Sequence, residues 1–225
     1  MTGRSDPIVY HKSLRANGYV FLPHFRPGEA TYVVANSIGE ISELPNVSVI
    51  QRIRPKRIQD SIPNLYSGNY GLNAFPLHTD LAHWYLPPRY LLLRCAYPAS
   101  EVSTLLLPAE DALRAIDRLM LHRAIYRPRR KLRGRLALLR LLQKTTDGVL
   151  FRWDQLFLEP ASPEGATVAN HLRNPSLTKE AIRVSFDQPY DTLIVDNWAM
   201  LHGRSAVPQT ALRRVVDRVY LQDIK

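Results

Sequence analysis

The sequence predicts a mainly β domain with flanking helices, built as an antiparallel double-sheet barrel. Three observations carry this expectation. Short apolar runs bounded by turn residues crowd the chain from Arg89 onward, which is the strand density of sandwiches and barrels. Helical patterns are too few to alternate with those strands as βαβ units require. No glycine-rich phosphate loop joins a strand to a helix, which counts against a nucleotide-cradling α/β fold. The 225 residues, 45% apolar and 22% charged, suit one substantial domain spanning 1–225 and not a disordered or fibrous chain.

The elements follow in order. His11 to Ala16 predicts a short helix that Asn17-Gly18 stops. Tyr19 to Leu22 is a compact apolar strand ahead of Pro23. From Gly28 to Ile41, the residues Ala30, Val33, Val34 and Ile38 fall at helical spacing. Val47 to Ile53 alternates as a strand. Ser61 to Pro76, rich in Asn, Gly, Ser and Tyr, predicts a long surface loop, a kind of segment that often carries function. Tyr90 to Ala96 and Thr104 to Leu107 are strand candidates. Pro108 to Leu121 predicts one helix, with proline near its start and Glu110 and Asp111 in the first turn, where they suit the dipole. Ala181 to Phe186, Thr192 to Val195 and Arg214 to Leu221 complete the strands.

The net charge of +10 is local. Between Asp117 and Asp147 the chain carries ten basic residues and no acidic one, so the remainder sums to zero. Leu132, Leu136 and Leu139 sit at helical spacing among the arginines, which predicts a basic amphipathic helix over 130–143 within a basic helical insert at 118–146. Four roles are open to it: a solvated helix face, a docking face for an acidic carrier protein, recognition of an anionic substrate, and binding at a membrane surface, for which there is no second anchor. A single patch without a base-stacking aromatic cluster counts against nucleic acid as the partner. One cysteine, Cys95, leaves no internal disulfide and no multi-cysteine metal cluster. The expected compartment is therefore the reducing cytoplasm. Met1 to Asp6 lacks a signal-peptide core, and no run reaches the roughly 18 apolar residues of a membrane span. The sequence sets no oligomeric state.

Chemistry concentrates in two places. Pro76-Leu77-His78-Thr79-Asp80 holds a His-x-Asp pair, whose side chains share one side of a strand and can reach one metal ion. Asp196 to Arg204 offers a third ligand, His202, just after a strongly apolar strand. Two imidazoles and one carboxylate leave open positions on a metal, the arrangement of non-haem Fe(II) oxygenases. Arg213-Arg214 follow, and then Arg218, which shares strand parity with Arg214. Inward arginines are costly unless they meet anions, and a guanidinium matches a carboxylate with two parallel hydrogen bonds.

Several stretches together resemble the taurine dioxygenase and clavaminate synthase family of Fe(II)/2-oxoglutarate-dependent oxygenases. They are His78-Thr79-Asp80-Leu81, Pro87-Pro88-Arg89-Tyr90, Arg94-Cys95-Ala96-Tyr97-Pro98 and Ser103-Thr104-Leu105, then Asp196-Asn197, His202-Gly203-Arg204, Arg213-Arg214 and Arg218. The resemblance implies a double-stranded β-helix, or jelly-roll, core of cupin-like type. It implies His78, Asp80 and His202 as iron ligands. Thr104 and Arg214 would bind 2-oxoglutarate, Arg214 at its distal carboxylate. Arg218 would meet an anionic group of the substrate or the other end of 2-oxoglutarate, and Asn73 and Tyr70 of the polar loop would touch substrate. Fe(II), 2-oxoglutarate and O2 are the implied cofactors. The implied reaction is hydroxylation, desaturation or cyclisation of a small molecule in specialised metabolism. Halogenation is disfavoured because Asp80 is retained. The alternatives are a nucleic-acid-modifying oxygenase on the same core and a non-catalytic jelly-roll binding protein. Where the family often has glycines before the threonine, this chain has Glu101-Val102-Ser103. His83 is expected to line the pocket without ligating, and Asn197 to brace the turn before His202.

Overall fold

The computed structural model describes residues 7–130 and 137–225. Helix α1 (Pro7–Asn17) ends at Gly18, whose φ of +74° and N–H to the Leu14 carbonyl close the helix. A Cβ at Gly18 would also meet the Met200 sulfur at 2.5 Å, so the Met200 side chain would have to move to admit one. Strand β1 (Tyr19–Leu22) follows as predicted. Helix α2 (Thr31–Ile38) is shorter than the span 28–41. Gly39, a poor helix former, releases the chain into strand β2 (Gly39–Ile41), which takes the edge of the last strand. Of the alternating run at 47–53, only strand β3 (Gln51–Ile53) pairs. The loop expected at 61–76 contains helix α3 (Tyr66–Tyr70) and opens into strand β4 (Phe75–His78).

Strands β5 (Tyr90–Tyr97) and β6 (Ser103–Pro108) agree with the apolar runs. The single helix expected over 108–121 is two, α4 (Ala109–Leu113) and α5 (Arg118–Arg123). Asp117 causes the break, because its carboxylate accepts from the N–H groups of Leu119 and Met120 and caps α5. The basic segment departs further from expectation. Beyond α5 its described part carries three strands and no helix, β7 (Ile125–Pro128), β8 (Leu139–Arg140) and β9 (Leu142–Thr145), and β9 pairs with β10 (Gly148–Phe151) just past the segment. Residues 131–136 of the predicted helix lie outside the described residues. The leucine run fits two periods. Leu139 and Leu141 are buried and Arg140 between them is exposed, which is strand alternation. The two residues Thr146-Asp147 then turn β10 back onto β9, with Gly148 opposite Thr145. Strand β11 (Leu158–Pro160), helices α6 (Pro163–Leu172) and α7 (Ser176–Glu180), and strands β12 (Ile182–Ser185), β13 (Thr192–Asp196), β14 (Met200–Arg204) and β15 (Val215–Ile224) complete the chain.

The architecture is mainly β, with two large antiparallel sheets. One runs β1-β13-β5-β15-β2, with β3 also on β15; the other runs β12-β6-β14-β4. Leu91, Leu93, Val195 and Val216 of the first and Leu106, Val184 and Met200 of the second share one buried cluster, so the sheets face each other. Helices α1 and α2 cover the outer face of the six-stranded sheet, with Leu14, Val34 and Ile38 against Leu92, Ile194 and Val219. The chain between β6 and β12 covers the outer face of the four-stranded sheet, with Tyr126, Phe151 and Trp153 against Leu105, Leu107 and Leu201. Burial of these apolar faces is the main stabilising term. Cys95 sits in the shared core, and burial pushes its thiol up to about 12, so it packs as an inert hydrophobe. Among the described residues, no helix is long and apolar enough to cross a membrane.

Candidate metal centre

His78 and His202 are register partners across the β4–β14 pair, with ring centroids 4.5 Å apart. Gly203 lets these strands meet, since a Cβ there would lie 2.8 Å from the Phe75 carbonyl oxygen. Asp80 follows β4 directly. Its Oδ1 lies 3.5 Å from Nε2 of His78 and 3.5 Å from Nε2 of His202. One donor atom from each residue falls within 4.8 Å of the other two, and all three residues are buried. Two N/O donors at right angles, each ~2.1 Å from one ion, stand about 3 Å apart. Asp80 Oδ1 therefore stands about half an ångström beyond ligand spacing from each histidine nitrogen.

The surroundings aim these ligands. Nδ1 of His78 is 2.8 Å from the Pro76 carbonyl oxygen. That contact assigns the proton to Nδ1 and turns the Nε2 lone pair to the centre. The Asn197 carboxamide brackets the Asp80 backbone. Its Oδ1 accepts from the Asp80 N–H at 2.7 Å, and its Nδ2 donates to the carbonyls of Asp80 at 3.0 Å and Pro88 at 3.1 Å. Asn197 thus braces Asp80, where the sequence suggested only the turn before His202. Burial opposes ionisation of Asp80, yet Arg218, His202 and His78 outweigh it and hold the carboxyl well below its usual range. Burial, then the charge of His78, lowers the pKa of His202. In His78 burial is outweighed by the hydrogen bond to Asp80 and the nearby carboxylates, and its pKa rises.

Sequence reasoning missed Tyr66, Asp154, Gln51 and Tyr220. The Tyr66 ring lies on His78, with centroids 4.1 Å apart and planes 22° from parallel. Its hydroxyl donates to Oδ1 of buried Asp154 at 2.9 Å. No spacing rule links these residues to His78; only the folded helix α3 brings them there. Arg218 donates from Nη1 to Asp80 Oδ2 at 2.9 Å and from Nη2 to Gln51 Oε1 at 2.6 Å. Tyr220 donates to the same Asp80 oxygen at 2.9 Å.

Arg214 stands just ahead of β15 and is 6% exposed. Among the described residues its guanidinium has no hydrogen bond and no ion pair; its neighbour is the Phe186 ring at 5.6 Å. Burial pushes it down to about 10, which leaves it charged at neutral pH. Thr104 is buried on β6, in register with Arg204 and Val184. Arg204 is a second guanidinium at this end, lowered to about 10 by burial and then by the charge of Arg214. It is engaged with the carbonyls of Gly71 and Asn73 and lies over Phe75 at 3.7 Å. Tyr70 is half-buried and accepts from Gln155 at 2.8 Å, while Asn73 is exposed. His83 is not part of the triad; it packs beside Phe157 at 5.2 Å, and burial pushes it down to about 4.

No protein-family model matches the chain, and no curated protein matches it. Solved structures do. Asparagine oxygenase in complex with Fe(II), 2S,3S-3-hydroxyasparagine and succinate superposes with a TM-score of 0.73 at 16% identity, over 97% of this chain and 78% of that one. PvcB from Pseudomonas aeruginosa gives 0.70 at 18% identity, over 99% and 83%; it is described as an Fe, alpha-ketoglutarate dependent oxygenase from an isonitrile synthetic pathway. The non-heme iron oxygenase OrfP in complex with Fe and alpha-ketoglutaric acid gives 0.63 at 17% identity, over 97% and 80%. At these identities the likeness establishes a shared fold, and this chain spans most of the length of each.

Proposed function

We propose that this protein is a non-haem Fe(II)/2-oxoglutarate-dependent dioxygenase on a double-stranded β-helix core. It would hydroxylate, desaturate or cyclise a small molecule. Two observations carry the proposal. His78, Asp80 and His202 converge their donors on one point, and Arg214 lies buried, charged and without a carboxylate partner. A guanidinium in that state is costly unless an anion joins it. The donor set of two imidazoles and one carboxylate suits Fe(II) and leaves coordination positions free. When bound, iron supplies the O2 chemistry coupled to oxidation of 2-oxoglutarate.

This chain's residues do the rest. His78, Asp80 and His202 hold the ion, and Arg214 with Thr104 takes the distal carboxylate of 2-oxoglutarate. Tyr66 shields one face of His78. Tyr70 and Asn73 border the substrate side. Arg218 keeps an unpartnered Nε for an anionic group of the substrate. Between Asp117 and Asp147 the described basic residues are exposed, which supports docking of an acidic carrier protein there. The fold's relatives support the same reading, since their structures hold iron with succinate or alpha-ketoglutaric acid. Anaerobic titration with Fe(II) and 2-oxoglutarate tests it. The expected outcome is a visible metal-to-ligand charge-transfer band that is absent from His202→Ala. Absence of the band from the wild-type protein overturns the proposal.

A further inference from the structure

Resting on that reading, we infer that Arg218 and Tyr220 are positioning residues that fix Asp80 as a metal ligand through one oxygen. The two carboxylate oxygens have different neighbours. Oδ1 is 3.5 Å from Nε2 of both histidines. Oδ2 accepts from Arg218 Nη1 at 2.9 Å and from the Tyr220 hydroxyl at 2.9 Å. Gln51 fixes the guanidinium in turn, accepting from Nη2 at 2.6 Å, and is the register partner of Arg218 across β3 and β15. Both donors come from β15 of the six-stranded sheet, whereas the two histidines sit on the facing sheet. Tyr220 is buried, so its hydroxyl has no access to bulk water as an alternative partner.

A carboxylate free to rotate can chelate a cation through both oxygens. Here the second oxygen is saturated by two donors, one of them charge-assisted. Chelation would forfeit both bonds. The clamp thus presents Oδ1 alone to the metal and leaves one more coordination position for exchangeable ligands. Outer partners of metal ligands typically contribute 10–100-fold in metal affinity.

The test uses the full chain, anaerobically, with Co(II) alone. Tyr220→Phe keeps the ring and removes the hydroxyl; Arg218→Lys keeps the charge and loses the fork; Arg218→Met loses both. The readouts are Co(II) affinity and the visible Co(II) spectrum, which reports coordination number. Tyr220→Phe is expected to bind Co(II) about 10-fold more weakly with a changed spectrum. Arg218→Met should lose more, and Arg218→Lys should recover part. The metal-free melting temperature of Tyr220→Phe should hold, which separates positioning from packing. If Arg218→Met does not fold, Tyr220→Phe decides alone. Wild-type affinity and spectrum in Tyr220→Phe overturn the clamp. Wild-type protein that binds no Co(II) sensitive to His202→Ala overturns the oxygenase reading itself.

Discussion

A buried guanidinium without a carboxylate partner destabilises the fold that holds it, and Arg214 is in that state. The proposed function gives it a partner in a ligand that brings the missing anion. Losing one side of a buried charged contact costs ~2–5 kcal/mol. Arg214→Met is therefore expected to weaken 2-oxoglutarate binding at least about 30-fold, while the ligand-free protein stays as stable as before or becomes more so. Calorimetric titration and urea unfolding of the same variant check both halves; lost stability with unchanged affinity would make Arg214 a structural residue. His83 gives a second, pH-dependent expectation. Burial holds its pKa at about 4, below the ordinary 6.5. The unfolded chain thus binds the proton more readily, and stability is lost as pH falls from about 6.5 towards 4. The loss attributable to His83 is no more than about 3 kcal/mol. His83→Gln should flatten the acid limb of a stability-versus-pH curve in that window, and a limb of unchanged steepness would refute the assignment.

Elements position these residues, and the β4–β14 pair is the critical one. Its register sets His78 against His202, and it closes only because Gly203 has no side chain. Gly203→Ala places a Cβ against the backbone oxygen of Phe75, so a strand must shift. Overpacking of this kind costs ~1–3 kcal/mol, and the displaced His202 should also bind metal more weakly. Urea unfolding of the metal-free variant and Co(II) titration separate the two effects; normal values in both would show that the pair tolerates the extra atom. Tyr19 to Leu22, Tyr90 to Ala96 and Thr192 to Val195 were legible as strands because their apolar character is continuous over a strand's length. The His78, Asp80 and His202 grouping was legible because a metal demands particular donor types. The leucine-rich run near 139 was not, because leucine serves helical and strand periods equally. Asp117 read as mid-helix because a cap differs from an interior residue only in the backbone around it. The Tyr66–His78 stack and the contacts of Arg218 and Tyr220 with Asp80 join distant segments, and nothing local announces them.

At the scale of the molecule, the candidate centre is a bridge between layers. The histidines belong to the four-stranded sheet, while Arg218 and Tyr220 reach Asp80 from the six-stranded one. Asp80 is held ionised chiefly by Arg218 of the six-stranded sheet, with His202 and His78 of the other adding to it. An ion seated there adds attraction to the folded state alone, because the unfolded chain separates His78 from His202. Binding to the folded state stabilises it by ~2.7 kcal/mol at a hundred times the dissociation constant. For a chain of this size each kcal/mol raises the melting temperature by about 2–4 °C. Mn(II), which is inert to O2 on this timescale, should therefore raise the melting temperature by about 5–10 °C at saturating concentration. On the proposed function, which puts the keto-acid end of 2-oxoglutarate at the ion and its distal end at Arg214, 2-oxoglutarate should add a further rise only when Mn(II) is present. The two increments are separable by mutation. His202→Ala should abolish both, and Arg214→Met should keep the first and lose the second. A rise with 2-oxoglutarate alone that survives in His202→Ala would place the carboxylate site apart from the metal and break the link between the two sheets' contributions.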